Sequence, residues 1–226
     1  MTSARRVDYT GEGLSEEQVA PTPWQQARLW VEEAIARQEA QGDVPEPTAI
    51  SVATVDAAGM PNVRTVLMRF FDDRGPGFVT ATTSAKGQEI AATGGIAAAL
   101  TWPSMFRAIR FRGQAQALTR EEVQGYFSSR PWASRISAWA SQQSQPVEGR
   151  AELEAAYDRY AAQYPDHGHP DDVPVPDFWG GWRVACDEVE FWGGRRNRLH
   201  DRLVFTRTGR GTLDDAASWT LSRRQP

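Results

Sequence analysis

The chain has 226 residues, a formal net charge of −4 from 25 basic and 29 acidic side chains, and a hydrophobic fraction of 40%. That length suits one large domain or two small ones, and the slight acidity argues against a general nucleic-acid binder. Cys186 is the single cysteine, so no intrachain disulfide framework exists and an inert, buried thiol is expected; the polar N-terminus has no apolar signal core and no apolar run approaches membrane-spanning length, so a cytoplasmic location is expected.

Residues 1–20 are polar and are expected to be mobile, with residues 21–226 forming one domain. Thr22 and Pro23 make a helix start, as N-cap and first helical residue. Trp24, Ala27, Val31, Ala34 and Ile35 recur at helical spacing, and Gly42 is a natural stop. Strand-like segments follow at Ala49–Asp56, Asn62–Phe71 and Phe78–Thr82, with turn signals at 57–59 and 72–75. A short helix over Ala85–Ala92 ends at Gly94. Ile96–Trp102 and Phe106–Leu118 read as two more strands. Short, closely spaced strands with tight turns suggest an antiparallel barrel with flanking helices, mainly β overall, and not a βαβ sheet.

The second half is more helical. Thr119 and Glu122 form a capping box for a helix through Phe127. Pro131 interrupts it, and Ile136–Ala140 can carry a second short helix. Arg150–Tyr164 repeats Leu153, Tyr157, Tyr160 and Tyr164 at helical spacing, a stripe expected to be core. His167 and His169 lie in a Pro- and Asp-rich loop without a cysteine or third histidine nearby, so no metal site is expected. Strands Trp182–Trp192 and Leu199–Thr206, and a last one near Trp219–Leu221, close the chain.

Five places can carry chemistry. In Glu190–Arg202, a strand over Arg198–Leu203 would put Arg198, His200 and Arg202 on one face; this is either a solvated basic edge or a site for an anion or electron-rich ring. In Val63–Phe70, a regular strand aims Arg64 and Arg69 to opposite faces. Long apolar strands rarely bury arginine without an anion, although both can snorkel from strand ends. Lys86 is the only lysine of the chain and sits beside Gly87. Tyr126, Arg130 and Ser134 are spaced by four; a phenol, a guanidinium and a hydroxyl can together satisfy several phosphate oxygens. Gln143 and Ser144 offer an amide and a hydroxyl just past a helix. There is no dinucleotide fingerprint, P-loop or nucleophile elbow, and Glu188 with Glu190 on one strand face is no evidence of glycoside chemistry. Two phosphate-sized cationic sites, abundant aromatics and one framed histidine suit a phosphorylated aromatic cofactor and a phosphorylated substrate.

The segments Glu46–Ala49, Ala53–Asp56, Ser84–Gly87, Tyr126–Pro131, Ala138–Ser144, Phe178–Gly181, Glu190–Trp192 and Arg198–Arg202 together resemble the pyridoxamine 5′-phosphate oxidase family, from about Arg6 to the C-terminus. The resemblance implies an FMN-binding split β-barrel, assembled as a homodimer with FMN between subunits. It implies oxidation of pyridoxamine or pyridoxine 5′-phosphate to the aldehyde, with O2 as acceptor and H2O2 as product. It assigns flavin contacts to the run Arg64, Thr65, Val66, Leu67, Met68 and Arg69, to Val79, Thr80, Ala85, Lys86 and Ala108, and to Gln143, Ser144, Trp192 and Arg202. Tyr126, Arg130 and Ser134 would hold the substrate phosphate, and Arg69 would also contact the substrate. Arg198 and His200 would act catalytically over the pyridine ring, and Arg6 and Tyr9 would cover it. Three residues depart from the family pattern: Arg69 stands for a usual lysine, Ala108 for a flavin-contacting glutamine, and Gly193 for a common glutamine. A related flavin oxidase of another aromatic, such as a phenazine precursor, and a non-catalytic flavin-binding barrel are the alternatives.

Overall fold

The computed structural model describes residues 8–226, and Arg6 lies outside them. Helix α1 spans Pro23–Gln41. Its N-terminus is closed by the Thr22 hydroxyl, which accepts from the Gln25 amide, and its C-terminus by Gly42 in the left-handed region at φ 70°. It buries Ala27, Trp30, Val31 and Ala34, whereas Ile35 stays at the exposed margin.

Nine strands follow among the described residues: β1 (Ala49–Val55), β2 (Pro61–Leu67), β3 (Phe70–Asp72), β4 (Gly75–Ala81), β5 (Gly95–Trp102), β6 (Arg107–Ala117), β7 (Trp179–Gly193), β8 (Asp201–Arg207) and β9 (Trp219–Arg223). All pairings are antiparallel. The sheet order is β2-β1-β5-β6-β7-β4-β3, with β8 on β7 and β9 on β8. Its first and last strands, β2 and β3, are joined by only Met68 and Arg69. Two residues span about 7 Å, so the sheet must curl until its ends meet. The inward positions of the curl alternate as period-two burial requires: Ile50, Val52 and Thr54 on β1, and Ile96, Ala98, Leu100 and Trp102 on β5. The long β7 pairs β6 along its length, β4 through its first half and β8 through its second. A bulge opposite Gly113 bends it, and a Cβ on Gly113 would stand 2.0 Å from the Ala185 carbonyl oxygen.

Helices α2 (Ala85–Thr93), α3 (Arg120–Ser129), α4 (Trp132–Ala140) and α5 (Arg150–Gln163) flank the sheet. The main core includes Trp30, Phe78, Phe111 and Phe191, and a second cluster is built on Phe127, Ile136, Ala138 and Val173. Tyr157, Tyr160 and Tyr164 pack against this second cluster but remain partly buried, and no residue of α5 is fully buried. The tyrosine stripe is therefore a cover and not a core face.

Several expectations are corrected. Asn62–Phe71 is not one strand. The chain leaves β1 at Met68, whose amide binds the Thr48 carbonyl, and joins β4 at Arg69, whose amide binds Gly77. Arg64 lies in β2 and Arg69 between β2 and β3, so no single strand parity relates them. Helix α4 begins at Trp132, directly after Pro131 as its N-cap. Strand β8 begins only at Asp201. Arg196–Arg198 form a single tight turn in which Asn197 and Arg198 have φ of 57° and 63°, so Arg198, His200 and Arg202 do not share a strand face. Residues 9–20 are tied down in ways their polar composition does not announce: Leu14 is 5% exposed within the main core, and Val19 packs against it. None of the helices formed by the described residues is long and apolar enough to cross a membrane.

Candidate active site

Three groups of side chains stand where chemistry was expected. The first surrounds Lys86. Ser84 caps α2, its hydroxyl accepting from the Gly87 amide, which places Lys86 in the first helical turn. The ammonium is buried and donates to Gln143 Oε1 at 2.8 Å, Thr80 Oγ1 at 3.0 Å and Ser84 Oγ at 3.5 Å. Ser144, in the left-handed region at φ 73°, accepts from the Ala85 amide. All three ammonium partners are neutral oxygens. Burial first, and the Arg64 cation second, push the Lys86 pKa down to about 8, with Glu89 opposing. Arg64 itself is neutralised: its guanidinium binds Glu89 at 2.8 Å, and also Thr54 and the Val52 carbonyl. Of the neighbouring run, Met68 is buried in the core and Val66 packs against it, Leu67 is half-buried and Thr65 is exposed. Val79, half-buried beside Thr80, pairs with Gly181.

The second group is Tyr126, Arg130 and Ser134, gathered around the α3–α4 break. Pro131 disfavours helical backbone at the preceding residue, and Arg130 is extended at φ −75°, ψ 148°. Its guanidinium lies over the rings of Trp179 at 4.9 Å and Phe127 at 5.8 Å. Its Nη1 is buried and has no partner among the described residues; the same holds for Trp179 Nε1. Burial and then the nearby Arg69 cation disfavour the charged form of Arg130, and Tyr126 counters them. A guanidinium stays ionised in proteins, so this is a half-buried cation, with one buried and unpartnered nitrogen, that lies near a second cation and has no anionic partner among the described residues. Arg69 is exposed. Trp179 had no role in the sequence reading, although it lies in the Phe178–Gly181 segment; an aromatic beside two glycines carries no signal of cation stacking.

The third group is Trp192, His200, Arg198 and Tyr9. The His200 ring lies 4.7 Å from Trp192 and 5.0 Å from Tyr9, and the Arg198 guanidinium sits 4.8 Å over the Tyr9 ring. His200 Nδ1 accepts from the Arg195 amide at 3.0 Å. Burial first, then Arg198, lower the imidazole pKa, against Asp201. Because Nδ1 accepts, the ring's donor is Nε2, in the neutral tautomer that the lowered pKa favours. Arg202 is not among the groups that depress it. Although Arg202 lies opposite Trp192 in the β7–β8 pairing, it binds the buried Glu190 carboxylate at 2.8 and 3.0 Å, as Arg110 also does. Burial alone would raise Glu190, but these two arginines hold it below the usual carboxylate range. Ala108 is half-buried, paired with Trp192 in β6–β7. No hydrogen bond or ring contact among the described residues joins this third group to the other two, and none of their acidic, histidine or cysteine side chains forms a cluster that could hold a metal ion.

Known proteins resemble the chain over most of its length. Residues 36–164 match the family model described as pyridoxamine 5′-phosphate oxidase, and residues 179–226 match the pyridoxine 5′-phosphate oxidase C-terminal dimerisation region. The pyridoxine/pyridoxamine 5′-phosphate oxidase of Kineococcus radiotolerans is 43% identical over 99% of this chain and 98% of its own length. That of Streptomyces avermitilis is 42% identical over 99% and 96%. Among solved structures, PhzG from Burkholderia lata, in complex with tetrahydrophenazine-1-carboxylic acid, superposes with a TM-score of 0.81 at 27% identity over 96% of this chain and all of its own. A pyridoxamine 5′-phosphate oxidase-related, FMN-binding protein from Nostoc punctiforme superposes at 0.68 and 18% identity, over 90% and 98% of the two chains, a likeness of fold. With model matches across most of its length and full-length relatives above 40% identity, the chain belongs to the pyridoxine/pyridoxamine 5′-phosphate oxidase family.

Proposed function

We propose that the protein is an FMN-dependent oxidase that converts pyridoxamine or pyridoxine 5′-phosphate to pyridoxal 5′-phosphate with O2. The observation that carries this reading is the unpartnered, buried Nη1 of Arg130, near Tyr126 and Arg69. A buried cation without a counter-ion is costly, and a substrate phosphate supplies the missing charge. Lys86 makes a separate cationic pocket in the first turn of α2, where backbone amides favour anions. Two such pockets suit two phosphates, one on the cofactor and one on the substrate. The donor set around Lys86 fits the FMN phosphate because its ammonium touches only neutral oxygens. Gln143, Ser144 and Trp192 offer amide, hydroxyl and ring contacts for the remainder of the group.

Lys86, Gln143, Ser144 and Trp192 would hold FMN, which would supply the redox chemistry that oxidises C4′ of the substrate with O2 as final acceptor and H2O2 as product. Arg130, Tyr126 and Ser134 anchor the substrate phosphate, which makes the reaction effectively intramolecular. Arg198 and the neutral His200, donating through Nε2, orient the pyridine ring. The His200–Arg198 group has no contact with the phosphate pockets within one described chain. This supports a homodimer in which a second copy brings that group to them, in keeping with the match to a dimerisation region over residues 179–226.

The PhzG relative was solved with a carboxylic acid, and a carboxylate is also an anion that Arg130 can take. Turnover of the purified protein with added FMN separates the readings. H2O2 release with pyridoxamine 5′-phosphate, and little with unphosphorylated pyridoxamine, is expected. Equal turnover of the two removes the phosphate from the proposal.

A further inference from the structure

We propose that Asp201 is a positioning residue that clamps the segment Tyr9–Leu14 across the Arg198–His200 pair. Asp201 opens β8 opposite Gly193, and its side chain is 11% exposed. Oδ2 accepts from the Leu14 amide at 3.0 Å and from Arg195 Nε; Oδ1 accepts from Arg223 Nη1. Arg223 reaches on to the Leu14 carbonyl at 3.3 Å and to Glu16 at 2.7 and 2.8 Å. The carboxylate therefore has two branches. One runs through Leu14 to Tyr9. The other runs through Arg195, whose backbone amide holds His200 Nδ1. Burial alone would raise the Asp201 pKa, but hydrogen bonds from Arg195, Leu14 and Arg223 hold it below the ordinary value.

Between the anchor and Tyr9, backbone meets backbone. A Cβ on Gly13, at φ +77°, would stand 2.2 Å from Asp201 Oδ2 and 2.1 Å from Arg195 Nε. One on Gly193 would meet the Gly13 backbone at 3.2 Å, one on Gly11 the Gly194 carbonyl oxygen at 2.7 Å, and one on Gly194 the Tyr9 ring at 2.7 Å. Four glycines, two from each segment, thus form a seam without side chains. The seam lets the segment lie close enough for Tyr9 to reach His200 at 5.0 Å and to sit under Arg198 at 4.8 Å. Ordering such a segment costs conformational entropy, and charge-assisted hydrogen bonds of this sort are the strong ones that offset it.

The kinetic consequence rests on the oxidase reading; the clamp does not. The test uses the full chain with FMN, comparing the natural sequence with Asp201→Asn, which weakens the clamp, and with Gly13→Ala, which removes no hydrogen-bonding group but pushes its Cβ against the Asp201–Arg195 pair and the seam. Hydrogen exchange of the peptide carrying Tyr9–Leu14 is expected to speed by roughly tenfold or more in both variants. In Gly13→Ala the His200 imidazole, followed by NMR, is expected to titrate at higher pH as its Tyr9 cover is lost. KM for pyridoxamine 5′-phosphate should rise or kcat fall several-fold with FMN content unchanged. Unchanged exchange in Gly13→Ala overturns the clamp. Faster exchange with an unmoved His200 titration and unmoved kinetics overturns the positioning role. If the natural sequence oxidises no pyridoxamine 5′-phosphate, the oxidase reading fails, and exchange with the His200 titration still decides this one.

Discussion

Arg130 holds its guanidinium 4.9 Å over the indole of Trp179, with Nη1 buried and unpartnered among the described residues. The stack fixes the plane of the cation before any anion arrives, so little ordering remains to be done on binding. Arg130→Ala is expected to remove a charge-assisted contact of about 1.5–3 kcal/mol. The loss should appear as a KM for pyridoxamine 5′-phosphate raised roughly 10- to 150-fold, because the phosphate keeps its charge through the reaction. FMN content should survive. Steady-state kinetics with a flavin absorbance check decides it; a variant that loses FMN while keeping KM assigns Arg130 to the other phosphate.

Lys86 gives a pH dependence with a definite sign. Its pKa stands at about 8 in the ligand-free protein, lowered first by burial and then by Arg64. A phosphate ester prefers the ammonium form, so above that pH binding must take up a proton. FMN affinity should be flat between pH 6.5 and 7.5, then weaken by up to about tenfold per unit above pH 8, until the bound-state pKa is reached. Without ligand the sign is opposite. Between about 8 and 10.5 the unfolded chain binds more protons at this site than the native one, so this residue's contribution to stability rises with pH. Fluorescence titration of FMN into apoprotein across this range tests the first; a Lys86→Met protein should lose the dependence.

Much of the fold was legible because its determinants are local. Thr22, Pro23 and Gly42 bound α1, the Thr119–Glu122 capping box opens α3, and alternation in β1 and β5 marks the inward face. The failures are long-range. Nothing in Val66–Phe71 tells that the chain changes partner strands at Met68, because each half satisfies strand periodicity alone. The turn at Asn197–Arg198 needs left-handed backbone at two non-glycine residues, a rare conformation that composition does not announce. Arg64 and Arg202 carry ion pairs with Glu89 and Glu190 that their own segments do not announce. Their partners lie 25 and 12 residues away in sequence, out of reach of local pattern.

Glu122 links stability to the site. It closes the capping box of α3 and accepts from Arg183, which is 3% exposed in its side chain, and from Arg74. The Thr119 amide holds its pKa at about 2; burial opposes, and Arg183 and Arg74 add to the lowering. Its stabilisation is complete above the ordinary 4.5 and is lost as pH falls toward 2. Glu122→Ala should destabilise by about 3 kcal/mol, the lower end for an uncovered buried charge, since Asp72 still pairs with Arg183. Urea unfolding at pH 7 measures it. Because α3 carries Tyr126 and ends on Arg130, KM should rise as well.

The separation of the His200–Arg198 group from the phosphate pockets leads to a test by mixing. If each site is built from two chains, Arg130→Ala damages the pocket half and His200→Ala the ring half. His200→Ala alone should lower kcat, because the neutral imidazole donor aligns the substrate ring in the transition state. A dimer carrying one chain of each variant then holds one site with both defects and one with neither. Random exchange between equal amounts makes half the dimers mixed, so about a quarter of all sites should be intact. Unfolding and refolding the two proteins together, with FMN, should restore close to that share of wild-type turnover when assayed at substrate well below the raised KM of Arg130→Ala. Each variant refolded alone should not gain. Light scattering should give twice 25.1 kDa for both. Absence of any recovery in a mixture proven to contain mixed dimers would place the whole site within one chain, and the two groups would then have to meet by a movement of residues 194–200.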